Sequence, residues 1–335
     1  MTPVSVVSVF HNRAALVAPT LDTLRAQTHP ALEIVVVDDG SSDGTGEAMA
    51  DYASAHADPR LTVRRHANMG FVNALNAAIR ATDAPYVAIH GSGDTADPTR
   101  IARQAAVLDA DDAVGLVGCW VSNEDPITGA ATIKRPKLAG PLREIILRHN
   151  PFTHGEVVYR RALFDRVGGY RPFFRVAQDR DLWVRMSRET DHAIVPEVLY
   201  HRRRLSDGIA ASPAKLVLQS RLSDFAVHCG VQVLAGRPDP LERDGPAAFD
   251  ARPGSPRLAE RFARIAVSQA CAGRPDDARL LIAAAREEVI TPTVRLADWL
   301  IRAARHDGLR DRIVAPLLRS AKSVRARRAA PASKV

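Results

Sequence analysis

Residues 34–45 read Ile-Val-Val-Val-Asp-Asp-Gly-Ser-Ser-Asp-Gly-Thr, an apolar run that ends in two adjacent carboxylates. The β-branched apolar part predicts a strand that is buried on both faces of a sheet. Asp43, in the turn that follows, is a residue type that often opens a helix. Ligands of open α/β sheets bind outside the carboxyl ends of the strands, so Asp38 and Asp39 are expected to face a ligand. Their carboxylates suit hydrogen bonds from a base or a ribose.

Strand and helix patterns alternate on both sides of this motif. Residues 5–10 predict a strand that ends at His11 and Asn12, and residues 86–90 predict another that leads into Gly91-Ser92-Gly93-Asp94. This alternation predicts a doubly wound α/β domain with a mostly parallel sheet and flanking helices.

A loop that carries Asn68 and Gly70 is expected at the same edge of the sheet. These residues also have a structural interpretation. A loop asparagine such as Asn12 is often a turn residue, and Gly70 can simply supply a positive φ. The sequence alone leaves both interpretations open.

Two later segments complete the pattern. Residues 150–155 read Asn-Pro-Phe-Thr-His-Gly, and residues 178–183 read Gln-Asp-Arg-Asp-Leu-Trp. Together with the earlier motifs they resemble the family 2 glycosyltransferases, over roughly the first 205 residues. The resemblance implies a GT-A fold, a nucleotide-diphosphate-sugar donor and a hydroxyl acceptor. It also implies contacts to the donor nucleotide from His11, Asn12, Asp38, Asp39, Asn68 and Gly70.

The match to the family's acidic segment implies that Asp179 is the catalytic base. The acceptor hydroxyl must lose its proton as it attacks the anomeric carbon, and a carboxylate can take that proton. A single displacement of this kind inverts the anomeric configuration. The alternative is that Asp179 caps the helix that follows it, since Asp is a favoured N-cap residue. Contacts to the acceptor or the donor sugar are further implied for His154, Gly155, Gln178 and Trp183.

The chain departs from the family pattern at residues 91–94. The family has Asp-x-Asp-Asp there, which binds a divalent metal against the donor diphosphate, whereas this chain has Gly-Ser-Gly-Asp. One carboxylate plus phosphate oxygens can hold Mg²⁺ or Mn²⁺, so Asp94 is the candidate metal ligand. The alternatives are a cradle of backbone N–H groups without metal, or a loss of catalysis that leaves only binding. Contacts to the diphosphate are expected from Asp94, Ser92, His201 and Arg202.

The favoured function is therefore an inverting glycosyltransferase of surface polysaccharide or glycolipid assembly, a substrate class that only the resemblance implies. The alternative is a catalytically degenerate nucleotide-sugar binding module, motivated by the glycines at positions 91 and 93. A dehydrogenase is disfavoured because no G-x-G-x-x-G follows the first strand. A nucleotidyltransferase is disfavoured because the glycine-rich basic loop of that class is missing at the same place.

The net charge of +8 is concentrated at one end, where residues 301–335 hold ten Lys or Arg against two Asp. The preceding part is formally neutral, which argues against a nucleic-acid partner. A basic amphipathic helix over 309–335 is expected to contact an anionic membrane surface; the alternative is a terminal helix packed on the protein. Three scattered cysteines and no signal-peptide pattern predict a cytoplasmic protein, at the inner face of the membrane if the helix binds lipid.

Three regions are expected along the chain. Residues 1–212 form the GT-A domain, residues 213–256 a helix with a Pro/Gly-rich linker, and residues 257–335 a helical region with the basic tail. The pattern at 258–288 resembles a single tetratricopeptide-like hairpin, which needs neighbouring helices to bury its apolar face.

Overall fold

The computed structural model describes residues 1–125, 127–136, 140–203 and 212–303. Its strands are β1 (Val4–Phe10), β2 (Leu32–Asp39), β3 (Leu61–His66), β4 (Tyr86–Ile89), β5 (Thr95–Ala96), β6 (Val114–Glu124), β7 (Ala131–Lys134), β8 (Val158–Arg160) and β9 (Asp191–Arg203). Among the described residues they form one sheet in the order β3-β2-β1-β4-β8-β6-β9-β5, with β7 paired to β6.

The first half of the sheet is parallel. β2 and β4 flank β1, and β3 extends the sheet beyond β2. The second half mixes directions, because β8 runs antiparallel to β4 and β6, while β9 runs parallel to β6. The α/β fold with flanking helices is thus confirmed. Phe10 pairs with Asp38, so the loops that follow β1 and β2 leave the sheet side by side.

Both faces of the sheet are buried, as the apolar run at residues 34–37 predicts. Ile34 and Val36 belong to one apolar cluster, and Val35 and Val37 belong to the other. None of these four side chains is more than 1% exposed. Because successive side chains of a strand point to opposite faces, the two clusters lie on the two sides of the sheet.

Helices cover the sheet and form the C-terminal region. The α-helices are α1 (Val17–Arg25), α2 (Thr45–His56), α3 (Phe71–Arg80), α4 (Arg100–Ala110), α5 (Leu142–Arg148), α6 (Arg161–Arg166), α7 (Gln178–Met186), α8 (Pro213–Leu234), α9 (Pro240–Asp244), α10 (Ala247–Asp250), α11 (Pro256–Cys271), α12 (Pro275–Glu288) and α13 (Pro292–Ala303). Two short 3-10 helices are Ala14–Leu16 and His154–Glu156. No helix within the described ranges is long and apolar enough to span a bilayer.

The described residues divide into two compact units, 1–203 with 225–246, and 212–224 with 247–303. In the second unit, α11 and α12 occupy the region of the predicted hairpin and share an apolar cluster with α13. The segment expected to be a Pro/Gly-rich linker contains α9 and α10. Asp239 caps α9 through the Leu241 N–H and pairs with Arg171 at 2.9 Å, a contact within the first unit. The basic helix expected over 309–335 lies outside the described residues.

Candidate active site

Asp39 is the meeting point of three loops at the carboxyl edge of the sheet. Its backbone oxygen lies 3.0 Å from His11 Nδ1 and accepts a hydrogen bond from Asn68 Nδ2 at 2.9 Å. Its carboxylate accepts the Met69 N–H at 2.9 Å and lies 3.4 Å from His66 Nδ1. The structure therefore brings His11, Asp39 and Asn68 together, as the sequence predicts.

Asp38 has a different environment from its neighbour. Its side chain is completely buried, and one oxygen accepts the Ser41 N–H at 3.0 Å. The other oxygen lies 3.1 Å from Arg65 Nε. Asp38 thus fixes the turn after β2, and its charge is opposed by a half-exposed guanidinium at the same edge.

The turn interpretation applies to Asn12 and Gly70. Asn12 has a φ of 53°, and its side-chain oxygen accepts the Ser42 N–H at 2.9 Å. Its own N–H donates to Ser41 Oγ at 2.9 Å. Gly70 precedes α3 with a φ of 84°, a conformation that L side chains rarely adopt. Both residues shape the loops that carry the side chains around Asp39.

A cavity of about 370 Å³ opens between these loops. Four of the residues expected to contact the donor nucleotide line it, together with one of the residues expected at the diphosphate. These residues are His11, Asp39, Asn68, Gly70 and Ser92. Arg13 and Phe71 also line the cavity, and the sequence offered no signal for either. Pockets at the carboxyl edge of a parallel sheet are the usual binding places of α/β proteins.

Asp94 is held at the second part of the site by residues that lie far along the chain. One carboxylate oxygen accepts the Tyr200 hydroxyl at 2.6 Å, and the other accepts the Arg203 N–H at 2.9 Å. The Tyr200 oxygen also accepts the Gly91 N–H at 3.0 Å. Burial raises the pKa of Asp94 to about 6, although the hydrogen bond from Tyr200 acts to lower it.

A buried arginine joins this turn to the loop after α5. Arg100 is completely buried, and its guanidinium donates to the carbonyls of Ile89 at 3.3 Å and Gly155 at 3.0 Å. The same guanidinium lies 5.2 Å from the centre of the Tyr200 ring. A Cβ on Gly155 would lie 2.0 Å from the Tyr200 hydroxyl. Glycine is therefore required at this position for the two segments to approach.

These residues do not form a preformed metal site. Asp94 is the single carboxylate of its turn, and both of its oxygens already accept hydrogen bonds. His90, the imidazole that precedes this turn, has its Nε2 3.0 Å from the Asp94 carbonyl oxygen. In the part of the chain that the structure describes, no three His, Cys, Asp or Glu side chains are grouped as a metal site requires.

Asp179 lies in the first turn of α7, where the sequence places the catalytic base. The cap of this helix is Ala177, with a φ of 61° and no side-chain hydrogen bond, so the capping interpretation of Asp179 is wrong. The Asp179 carboxylate instead accepts a hydrogen bond from Asn150 Nδ2 at 2.9 Å. This half-buried carboxylate is thus oriented by a neutral amide from the Asn-Pro-Phe-Thr-His-Gly segment.

The position of α7 is fixed by Asp181, two residues further on. Its buried carboxylate pairs with Arg185 at 2.7 Å and with Arg171. Arg171 also pairs with Asp239 at 2.9 Å. A buried carboxylate needs such partners to be tolerated. Asp181 therefore anchors the helix that presents Asp179.

The other residues expected to contact the acceptor or the donor sugar differ in how far they are buried. His154 Nε2 lies 2.9 Å from the Tyr170 hydroxyl, and its ring makes an edge contact with the ring of Phe71, a residue that lines the cavity. Burial lowers the pKa of His154, while the charge of Asp179 acts to raise it. Gln178 is half-buried at the start of α7. Trp183, expected to contact a sugar, is instead completely buried, with its ring 6.4 Å from that of His154.

The two basic candidates for the diphosphate lie on β9. His201 Nδ1 lies 2.9 Å from Glu124 Oε1, an ion pair if the imidazole is protonated. Arg202 follows it and is exposed, and its charge acts to lower the pKa of Asp94. The structure thus places Arg202 near Asp94. Arg202 is the first of three consecutive arginines, and the sequence alone did not show which of them lies there.

Two further ionisable residues in this region were missed in the sequence. Lys134, the last residue of β7, is half-buried, and its Nζ lies 3.4 Å from Thr153 Oγ1. Glu156 is completely buried, and its Oε1 accepts the Thr153 N–H at 2.7 Å. Burial raises the pKa of Glu156 to about 8, while the charge of Lys134 acts to lower it. Neither residue belongs to a motif of the sequence analysis.

The sequence has relatives of known class. Residues 5–180 match the model of glycosyl transferase family 2. The putative glycosyltransferase EpsE of Bacillus subtilis is 27% identical over 61% of this chain and 74% of its own length. A PGL/p-HBAD biosynthesis glycosyltransferase of Mycobacterium tuberculosis is also 27% identical, over 52% of this chain and 65% of its own length.

Solved structures share the fold. The mannosyltransferase PcManGT of Pyrobaculum calidifontis, in complex with GDP-Man and Mn²⁺, superposes with a TM-score of 0.55 at 22% identity, over 96% of this chain and 86% of its own. TarS residues 1–349 of S. aureus, in complex with UDP, give a TM-score of 0.54 at 16% identity, over 91% and 92%. These likenesses show a common GT-A architecture. Since the family model spans more than half of its length, this chain belongs to glycosyl transferase family 2.

Proposed function

We propose that this protein transfers a sugar from a nucleotide-diphosphate donor to a hydroxyl acceptor, with inversion at the anomeric carbon. The observation that carries the proposal is the Asp179 carboxylate, half-buried at the start of α7 and held by Asn150. A carboxylate that accepts one neutral amide keeps lone pairs for the proton of an acceptor hydroxyl. Direct attack by that hydroxyl displaces the nucleoside diphosphate from the opposite face of the sugar.

The donor nucleotide would occupy the cavity around Asp39. His11, Asn68 and the Asp39 carboxylate offer polar groups at its wall. Solved neighbours of the same fold are in complex with GDP-Man and Mn²⁺ or with UDP, which supports a nucleotide-linked donor. The identity of the base is left to experiment. We place the diphosphate beside Ser92, Asp94, His201 and Arg202.

The catalytic residues are proposed to work without a resident metal. In the turn at 91–94 Asp94 is the one carboxylate, both of its oxygens accept hydrogen bonds, and no metal-ligating group of three side chains is found among the described residues, so no step is assigned to Mg²⁺ or Mn²⁺. Instead, the N–H groups of the Gly-Ser-Gly turn and the nearby basic side chains would oppose the charge of the leaving diphosphate.

The acceptor is proposed to be a saccharide or lipid-linked saccharide at the cytoplasmic face of the membrane. Names of the relatives, such as PGL/p-HBAD biosynthesis glycosyltransferase, support this class. The basic segment 309–335 would bring the enzyme to anionic lipid. In this proposal residues 1–212 are the catalytic domain, and the helices beyond residue 256 serve acceptor positioning or protein contact.

The test is turnover by an Asp179→Asn variant. Release of nucleoside diphosphate from UDP-, GDP- and dTDP-sugars is measured in water, which can replace the acceptor as nucleophile. Loss of a general base is expected to slow release by about 100-fold or more, with nucleotide affinity unchanged. Proton NMR of the first sugar released gives the stereochemistry, and retention of configuration would contradict a single displacement.

Asp165→Asn is the matched control, because Asp165 is an exposed carboxylate in α6. It should keep wild-type turnover. A second candidate function is a binding module without transferase activity, favoured by the glycines at 91 and 93. Wild-type protein that binds a nucleotide sugar but never releases the diphosphate would establish that candidate and refute the transferase.

A further inference from the structure

We propose that Lys134 binds the diphosphate of the donor, so that its ammonium supplies positive charge at the place where the turn at 91–94 lacks carboxylates for a metal. This inference rests on the proposed function, since it assumes a nucleotide-diphosphate donor. It assigns a role to a residue that lies outside all of the motifs that identify the family.

The sheet brings Lys134 to the site through two neighbouring strands. Lys134 pairs with Val121 across β7 and β6, and Val121 pairs with Tyr200 across β6 and β9. The Tyr200 hydroxyl in turn binds Asp94. On its other side the Lys134 ammonium lies 3.4 Å from Thr153 Oγ1, next to His154 in the chain. The ammonium is thus flanked by the two segments that border the proposed diphosphate and sugar positions.

Glu156 is the acid that acts most strongly on Lys134, and burial opposes the charged form of this acid. Because the pKa of Glu156 is raised to about 8 by burial, this carboxyl is mostly protonated at neutral pH. Its Oε2 has no hydrogen-bond partner among the described residues. Burial lowers the pKa of Lys134, while the charges of Glu156 and then of Asp179 act to raise it. A bound anion would act in the same direction as Asp179 and favour the ammonium form.

Phosphate is the chemistry that these groups would recognise. The ammonium has three N–H donors on a flexible stem, and its single hydrogen bond within the described residues is long at 3.4 Å. Arg202 adds a second positive charge on β9, which lies on the other side of β6 from β7. The charge of Arg202 acts to lower the pKa of Lys134, and an anion bound near both would offset this repulsion. A diphosphate leaving group supplies that anion.

The test compares nucleoside diphosphates with monophosphates in EDTA. Wild-type full-length protein, Lys134→Met and Lys134→Arg are titrated calorimetrically with UDP and UMP, GDP and GMP, and dTDP and dTMP. Lys134→Met is expected to weaken the diphosphate of the preferred pair about tenfold and the monophosphate less than twofold. Lys134→Arg should retain most of the preference for the diphosphate. Arg80→Met, at the far end of α3 from the cavity, is the control for loss of a positive charge.

Each other outcome overturns the assignment. Equal weakening of both nucleotides would make Lys134 a structural residue, and equal affinities in wild type and Lys134→Met would exclude a contact. Diphosphate binding that appears only when Mn²⁺ is added would give the role to a metal. If wild type bound none of the six nucleotides with or without Mn²⁺, the proposed function itself would fail, together with this inference. Failure of the Asp179→Asn test would instead leave the Lys134 result standing.

Discussion

The wild-type protein is expected to lose stability as pH rises, because Glu156 is buried. The Glu156→Gln variant is expected to lack this loss. Glu156 is completely buried, and its pKa is raised from 4.5 to about 8 in the folded protein. Below pH 4.5 the carboxyl is protonated in both states, so its favourable contribution is complete. Between pH 4.5 and 8 the unfolded chain releases the proton while the folded chain keeps it, and the free energy of unfolding falls.

The size of the effect follows from the pKa difference. Each pKa unit corresponds to about 1.4 kcal/mol, so the complete loss amounts to roughly 5 kcal/mol at most. Glutamine keeps the oxygen that accepts the Thr153 N–H, and its NH₂ group replaces the protonated oxygen. The lowered pKa of Lys134 acts in the opposite sense as pH rises towards 10.5, the ordinary value for lysine. The comparison is therefore made at pH 8 and below, away from that ordinary value.

The assay is thermal unfolding of wild type and Glu156→Gln between pH 5 and 8. Groups that do not interact with Glu156 titrate equally in both proteins, so the difference in Tm reports on Glu156 together with its interaction with Lys134. For a domain of this size about 1 kcal/mol corresponds to 2–4 °C, so the variant should gain about 10 °C relative to wild type across this range. Glu144→Gln, at an exposed glutamate of α5, should show no such trend. A Tm difference that is the same at pH 5 and pH 8 would refute the raised pKa.

Two further substitutions test the positioning of the site. Asn150→Ala removes the amide that holds Asp179 at 2.9 Å; turnover is expected to fall about tenfold with Tm nearly unchanged, and unchanged turnover would contradict the positioning role. Tyr200→Phe deprives the Gly91 N–H and Asp94 of their shared hydroxyl, so the free energy of unfolding should fall by about 2 kcal/mol. Urea denaturation measures it, and a loss under 0.5 kcal/mol would show that other groups satisfy both atoms.

The sequence predicted correctly those features of the fold that depend on residues close together in the chain. The run at residues 34–37 predicts a strand buried on both faces, and its end places Asp39 at the cavity. The twofold periodicity of a strand and its turn are encoded within a few residues. The direction of the later strands was not encoded in this way. β8 and β9 enter the sheet in opposite senses relative to β6, which depends on contacts far apart in the chain.

The environment of α7 differs from what the sequence implied for Trp183 and for the helix cap at Asp179. Residues 180–186 are all buried, although three of them are charged. Their burial is possible because Asp181 pairs with Arg171 and Arg185, partners that no helical periodicity reveals. Trp183 consequently lies in the core, while the half-buried Asp179 remains as the candidate base. The N-cap of α7 is not an aspartate but Ala177, which has a positive φ. Alanine is not a favoured N-cap residue, so the residue type gave no indication of this cap.

Tyr200 contacts the turn at residues 91–94, where carboxylates of the family pattern are missing. A Cβ on Gly91 would lie 2.4 Å from the Asp94 carboxylate and 3.1 Å from the Tyr200 hydroxyl. An aspartate at position 91 would therefore have to displace the Asp94 carboxylate, and it would crowd the Tyr200 hydroxyl. A Cβ on Gly155 would meet the same hydroxyl at 2.0 Å. Asp94 and Tyr200 thus fill the space beside Gly91, where Asp94 is the one acid left and the Tyr200 hydroxyl is a neutral donor. Such a site has little negative charge with which to hold Mg²⁺ or Mn²⁺, so charge for the diphosphate has to come from side chains such as Lys134.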